Sequence, residues 1–123
     1  MPEAAMVSAA ALREKHCRHQ RIGFDAKDIA RHLAALPQWE LIGGCIARTF
    51  SFADYHETLA FVNAAAWIIH AEDHHPELRV SYRHCTVLYR THSVNDGQGG
   101  LSENDFICAA KIDQLVEQRA ARA

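Results

Sequence analysis

The sequence predicts a two-layer α+β fold in the order helix, two strands, helix, two strands, helix. Three segments carry apolar residues at the three- and four-residue spacings of amphipathic helices, and two pairs of short extended segments lie between them. Short connections within each pair imply antiparallel pairing, and such a sheet packs one face against helices. A chain of 123 residues, 49% of them apolar, suits one domain, which we expect over residues 23–123.

Residues 1–22 precede this pattern and show no strong periodicity, so we expect a flexible leader that is mobile or weakly helical. Within it, the run HCRH offers His16, Cys17 and His19 as potential metal ligands. The sequence has no second half of such a site, so metal binding here is the less favoured interpretation.

The first predicted helix and hairpin occupy the next part of the chain. The helix has an N-cap at Asp25 and stops at Pro37. Its apolar residues share one face: Ile29, Leu33 and Leu36. The segments WELI and CIARTFSF follow, separated by Gly43 and Gly44, and the second alternates in the period of a strand. They are predicted to form a β-hairpin.

The second predicted helix covers residues 54–73 and is the longest apolar pattern so far in the chain. Its main stripe has spacings of three and four: Tyr55, Leu59, Val62, Ala66 and Ile69. A second flank of Phe61, Ala65 and Ile68 widens this stripe beyond what one sheet face needs. We therefore expect a subunit contact on this helix as well as a core contact.

A second hairpin, a loop and a last helix complete the pattern. The third strand has one apolar face: Leu78, Val80 and Tyr82. A tight turn near Arg83 and His84 leads to the returning strand CTVLYRTH, and the glycine-rich SVNDGQGG is a flexible loop. The last helix starts with Ser102 as N-cap and Asp105 at its third position.

Composition excludes several classes of function. A net charge of −2, with acidic and basic residues mixed, argues against binding nucleic acid or anionic membranes through bulk charge. The four cysteines form no CxxC pair, so zinc-ribbon and thioredoxin-like motifs are absent from the sequence and reduced thiols are expected. The start of the chain has no signal-peptide pattern, and the longest apolar run, AAAWII, is far shorter than a membrane span of about 20 residues. We expect a cytoplasmic protein.

The run HAEDHHPEL, residues 70–78, concentrates the chemistry of the chain. His70 and His74 lie four residues apart at the predicted end of the second helix, and Pro76 prevents the helix from continuing past His75. His92 is placed at the end of the fourth strand. Strand ends and helix ends at one edge of a sandwich can converge, so we expect these side chains and Asp105 to share a pocket.

Three interpretations of this pocket remain open from the residues alone. In a purely structural one, His70 faces solvent and Asp105 caps its helix. In the second, His70, His74 and His92 bind a metal, although the run lacks the HExxH arrangement of zinc proteases. In the third, the imidazoles act as proton donor and acceptor, which needs no metal.

The segment HAEDHHPELRVSYRHCTVLYRTHSVNDGQGGLSENDF resembles the pterin-4a-carbinolamine dehydratases, also known as dimerisation cofactors of a homeodomain transcription factor. The matched positions are His70, His74, His75, Pro76, Tyr82, His92 and Asp105. LPQWEL and RTFSFADYHETLAFVNAAAWIIHAE are similar to the family's first strand and long helix, so the resemblance covers about residues 25–118. It implies a four-stranded antiparallel sheet with three helices on one face and assembly as a homodimer or homotetramer.

The resemblance also implies a reaction. This is dehydration of 4a-hydroxytetrahydrobiopterin to quinonoid dihydropterin in tetrahydrobiopterin recycling, by acid-base catalysis without a metal or other cofactor. His74 and His92 are the implied acid-base groups. The implied substrate-binding positions are His75, Pro76, Asp105 and His70, with Asp105 positioning or polarising the group that it meets.

Three positions depart from residues that are common in the family. Many members have glutamate at His70, tryptophan at Leu78 and arginine at Asn104, so a carboxylate, an aromatic wall and a positive charge are replaced here. A second function therefore stays open. It is a pterin-binding or regulatory protein without activity, either a transcriptional cofactor or a partner of a pterin- or molybdopterin-dependent enzyme.

Overall fold

The computed structural model describes residues 6–122 and the side chains of residues 6–118. Its elements are α1 Ala9–Glu14, α2 Ala26–Ala35, β1 Glu40–Ile42, β2 Cys45–Ser51, α3 Tyr55–Glu72, β3 Glu77–Val80, β4 His84–Tyr89 and α4 Glu103–Arg122. The four strands form one antiparallel sheet in the order β1-β2-β4-β3. The predicted α+β class and four-stranded antiparallel sheet are therefore confirmed.

The sheet has one buried and one open face, as period-two alternation requires. Strands β2 and β4 are in register with Phe50 opposite Cys85, and their inward side chains pack against buried residues of α4 such as Phe106. On the open face Thr49 and Thr86 are hydrogen-bonded through their hydroxyls at 2.8 Å. The helices thus cover the apolar face, and the core lies between them and the sheet.

Capping residues fix where helices α2 and α3 begin, and a left-handed residue fixes where α3 ends. Asp25 and Asp54 cap α2 and α3 through their carboxylates, each accepting a backbone hydrogen bond of 2.8 Å. Helix α3 ends at Glu72 because Asp73 adopts a left-handed conformation with φ of 50°. A bulky residue rarely adopts this conformation, but Asp tolerates it, so the chain leaves the helix axis at this point.

The N-terminal segment differs from the predicted leader. Its described part contains a fourth helix, α1, where the sequence predicts at most weak helicity, and Leu12 of this helix is only 2% exposed. The Arg13 side chain also donates a hydrogen bond of 3.1 Å to the carbonyl of Ala110 in α4. Six residues with one buried leucine produce no visible periodicity, which explains why the helix was missed.

The second hairpin is shorter than predicted. Strand β4 ends at Tyr89, so His92 lies in the turn that follows and not in the strand. Tyr82 lies outside β3, is 62% exposed and stacks on Tyr55 with ring centroids 6.0 Å apart. No helix among the described residues is both long and apolar enough to cross a membrane.

Candidate active site

A cleft of about 470 Å³ opens where four parts of the chain meet. These are the end of α3, the turn after β4, the start of α4 and the segment between α1 and α2. The cleft is lined by three of the predicted histidines, His74, His75 and His92. Its size suits a small-molecule ligand, since typical small-molecule pockets measure about 300–1,000 Å³.

His74 is the most constrained of the three histidines. It follows the left-handed Asp73, so it leaves the helix and turns its ring toward the sheet. The ring stacks on Tyr89 at a centroid distance of 5.3 Å, and its Nε2 lies 2.7 Å from Oδ1 of Asp105. The His74 side chain is 13% exposed. One of its nitrogens is in the hydrogen bond with Asp105, and the residue lines the cleft.

Asp105 is fully buried and serves two purposes. Its Oδ2 accepts hydrogen bonds from the Ser102 backbone N–H at 2.9 Å and from the Thr91 hydroxyl at 2.8 Å. The first bond is the predicted helix cap. Its Oδ1 faces His74, and a carboxylate only accepts, so we assign the imidazole proton to Nε2 and the free lone pair to Nδ1.

His75 and His92 are exposed residues at the mouth of the cleft. The His75 side chain is 69% exposed, with its Nε2 3.9 Å from the Asp73 carboxylate. Both imidazoles lie on the same cleft as His74 but come from different segments. The cleft therefore combines one oriented histidine with two solvated ones.

The structure does not bring every predicted residue to the cleft wall. His70 is exposed on α3 and does not line the cleft, and Pro76 does not line it either. The prediction that His70 and His74 share a helical face is wrong, because α3 ends before His74. Asp105 reaches the cleft only through its hydrogen bond with His74.

A segment that we call the strap, residues 16–24, forms a wall of the cleft that the sequence did not predict. The carboxylate of Glu72 holds its start. This side chain accepts a 2.7 Å hydrogen bond from the Cys17 backbone N–H and lies 2.8 Å from Nδ1 of His16. Lys111 of α4 approaches the same carboxylate at 3.6 Å.

The amide of Asn104 holds the next residue of the strap. Its Oδ1 accepts from the Arg18 backbone N–H at 3.1 Å, and its Nδ2 donates to the Arg18 carbonyl at 2.6 Å. Asn104 is only 6% exposed, so this pair of bonds is shielded from water. Arg18, His19 and Gln20 then line the same cleft as His74, His75 and His92.

The Glu72 carboxylate links attachment of the strap to pH. Burial favours its neutral form, but the hydrogen bonds from Cys17 and His16 and the Lys111 charge outweigh burial and hold the pKa of Glu72 below its usual 4.5. Because the pKa of Glu72 is lower in the folded than in the unfolded state, ionisation of this carboxyl stabilises the fold at pH values above its usual pKa. The stabilisation is lost as pH falls through the folded-state pKa.

We expect Glu72→Gln to reduce stability more at about pH 7 than at about pH 3, because protonation of the wild-type carboxyl as the pH falls removes the charge that the variant lacks. Urea unfolding midpoints at the two pH values measure this difference. Glu14→Gln, an exposed position on α1, is the matched control. An unfolding difference between wild type and Glu72→Gln that stays constant over this range would contradict the assignment.

Two of the three potential metal ligands of the strap, His16 and Cys17, have other partners. His16 contacts Glu72, and the Cys17 sulfur lies 3.4 Å from that of Cys108. The hydrogen bond with Cys108 and burial both raise the pKa of the Cys17 thiol, which favours the protonated form over the metal-binding thiolate. Within residues 6–118, no three His, Cys, Asp or Glu side chains are arranged to hold a metal ion.

Comparisons with known proteins place the chain in a family. The profile of the Pterin 4 alpha carbinolamine dehydratase family matches residues 23–115. A protein of Bdellovibrio bacteriovorus, provisionally named pterin-4-alpha-carbinolamine dehydratase, is 56% identical over 95 residues, which are 77% of this chain and 79% of that protein. A protein of Xanthomonas campestris with the same provisional name is 54% identical over 113 residues, covering 87% and 92% of the two chains.

A solved structure gives the same result at the level of the fold. It is a transcriptional coactivator/pterin dehydratase from Brucella melitensis, which superposes with a TM-score of 0.69 and 28% identity. The match covers 76% of this chain and 97% of that one. With the family profile spanning most of the domain, these matches show that the chain belongs to the pterin 4 alpha carbinolamine dehydratase family.

Proposed function

We propose that this protein is a hydro-lyase that dehydrates a 4a-hydroxytetrahydropterin to the quinonoid dihydropterin. The observation that supports this most is the buried Asp105–His74 pair beside two exposed histidines in one cleft. Membership of a family of pterin carbinolamine dehydratases supplies the substrate class. The tetrahydrobiopterin series, recycled after hydroxylation reactions, is the substrate that we propose.

The proposed reaction is a net loss of water. The N5–H bond and the C4a–O bond break, a C4a=N5 double bond forms, and the proton and hydroxide leave as water. No electrons are gained or lost, so acid-base groups are sufficient in the proposed mechanism. A positioned donor and acceptor typically accelerate such a step by about 10²- to 10⁴-fold each.

The geometry suggests which histidine takes each role. His74 holds its Nε2 proton toward Asp105, which leaves Nδ1 to accept the N5 proton of the substrate. The imidazolium that then forms is stabilised by the adjacent carboxylate. We propose that His92 protonates the departing hydroxyl and that His75 binds the substrate at the cleft mouth.

A dehydratase assay on the purified chain tests this function. Substrate formed by a pterin-dependent hydroxylase should lose water faster with the protein than in buffer. The non-catalytic alternative, a pterin-binding or regulatory protein, predicts the buffer rate. A rate equal to that of buffer at saturating substrate would contradict the proposed activity.

We also propose that α3 contributes to self-association, not through the predicted flank, whose Phe61 and Ala65 are buried within the chain, but through apolar residues that α3 leaves exposed. Trp67 is 79% exposed on this helix, and Leu59 is 39% exposed. Exposed apolar residues on one helix face are typical of protein contacts. Sedimentation at micromolar concentration should show a homodimer or homotetramer, and Trp67→Ser should shift it toward monomer. A monomer in the wild type would contradict this proposal.

A further inference from the structure

The strap is fastened to the domain at more than its start. The Ser93 hydroxyl donates to the Gln20 carbonyl at 2.8 Å, and the Asn95 backbone N–H donates to the Arg21 carbonyl at 3.0 Å. Its end is held by a 2.7 Å bond from the Phe24 N–H to the Leu101 carbonyl. These bonds use the strap backbone, so the side chains of Arg18, His19 and Gln20 can line the cleft, while that of Phe24 packs against the core.

Among the described residues the guanidinium of Arg18 has no carboxylate partner, unlike those of four other arginines. These four are paired with carboxylates: Arg13, Arg31, Arg48 and Arg79. Within residues 6–118, the structure gives the Arg18 guanidinium no hydrogen bond and no ion pair, although its backbone is held on both sides by Asn104. A charged group on a fixed backbone at a cleft wall is therefore available for a ligand.

The carboxylates near the cleft do not compete for this guanidinium. The Asp105 carboxylate already accepts hydrogen bonds from His74, Thr91 and Ser102. The Glu72 carboxylate is already paired with donors of the strap and α4. The one exposed acid on the cleft, Asp73, is 92% exposed at its side chain and lies beside His75. The N–H groups of a guanidinium lie in one plane and can donate hydrogen bonds side by side to carbonyl or carboxylate oxygens.

We propose that Arg18 is a specificity-determining residue that binds an acceptor oxygen of the substrate, and that Asn104 positions it. This inference rests on the proposed function, because it assumes that a pterin occupies the cleft. Two substrate oxygens can accept from a guanidinium, the ring carbonyl and an oxygen of the side chain at C6, which is a neutral hydroxyl in the biopterin series. The strap is thus part of the binding site, although Arg18 and most of the strap precede the residues matched by the family profile.

Binding of two pterins to the full chain tests the proposal. The probes are 6-methylpterin, which offers only the ring carbonyl, and pterin-6-carboxylate, which adds an anionic group. Arg18→Ala should weaken binding of at least one probe by about 10- to 100-fold, as for loss of a hydrogen bond from a charged donor. Loss for both probes identifies the ring carbonyl, and loss for the carboxylate alone identifies the side-chain oxygen.

Arg21→Ala is the matched control. Arg21 is exposed on the same strap, three residues from Arg18, and does not line the cleft. Its removal changes the charge equally and should leave both affinities unchanged. In the dehydratase assay, Arg18→Ala should raise KM with little change in kcat, since the guanidinium binds substrate without taking part in proton transfer. Asn104→Ala should raise KM in the same direction.

The outcomes separate this inference from the proposed function. If wild type binds the probes and Arg18→Ala binds them equally well, the proposed role of Arg18 is wrong. The proposed function is not affected by that result. Equal losses in Arg18→Ala and Arg21→Ala also overturn it, because general charge then explains the effect. Wild type that binds neither probe and shows no dehydration overturns the proposed function and this inference with it.

Discussion

Replacing His74 by glutamine is expected to slow dehydration by about 10²- to 10⁴-fold, the usual contribution of a positioned general base. The amide has a donor for Asp105, so the buried hydrogen bond is largely kept, but it cannot take up the N5 proton. The fold should survive, because His74 borders the cleft with 13% of its side chain exposed and is not part of the buried core. Single-turnover rates with matched thermal melts measure both effects.

His56→Gln is the control for this variant. His56 lies exposed near the start of α3, at the end of the helix away from the cleft, and should retain the wild-type rate. His92→Ala should also lose activity, with no loss of stability, because this side chain is exposed. A His74→Gln protein that dehydrates at the wild-type rate would exclude the proposed base.

Asp105→Asn is expected to lower the free energy of unfolding by about 2–3 kcal/mol, the typical cost of losing a buried hydrogen bond to a charged acceptor. The carboxylate is fully buried and receives donors from His74, Thr91 and Ser102. An amide has only one oxygen to replace two, so at least one of these donors loses its acceptor. Activity should fall as well, because the proton of His74 is no longer held on Nε2.

Asp96→Asn is the matched control for Asp105→Asn. Asp96 is exposed in the loop after β4 and has φ of 56°, a conformation that asparagine tolerates. Its unfolding midpoint in urea should equal that of wild type. An Asp105→Asn midpoint that is also unchanged would mean that the buried hydrogen bonds of this carboxylate contribute nothing to the fold.

The fold was predictable where long elements carry their own pattern. Helix α3 has 18 residues and an Asp54 cap, so periodicity and capping agree on its start. Helix α1 has six residues and depends on packing against α4, and packing between distant segments leaves no mark in local sequence. For the same reason the sequence predicted a strand β4 that extends to His92, whereas the strand ends at Tyr89.

The site was predictable in its histidines but not in its geometry. The run HAEDHHP indicated the chemistry, yet the left-handed Asp73 redirects the chain and leaves His70 outside the cleft. Asp105 was expected either to cap its helix or to serve the pocket, and its two oxygens make both contacts. Glu72 and Asn104 hold the backbone of the strap, and contacts to backbone do not depend on the partner's side chain. The sequence of the strap therefore carries no pattern from which the contacts of Glu72 and Asn104 could have been predicted.

The position of a bound dihydropterin in a crystal structure of the wild-type protein tests the central claim most directly. We predict that the ring lies in the cleft with N5 about 2.6–3.2 Å from Nδ1 of His74 and with C4a on the side of His92. A dihydropterin bound away from these residues, for example on the open face of the sheet, would contradict the account.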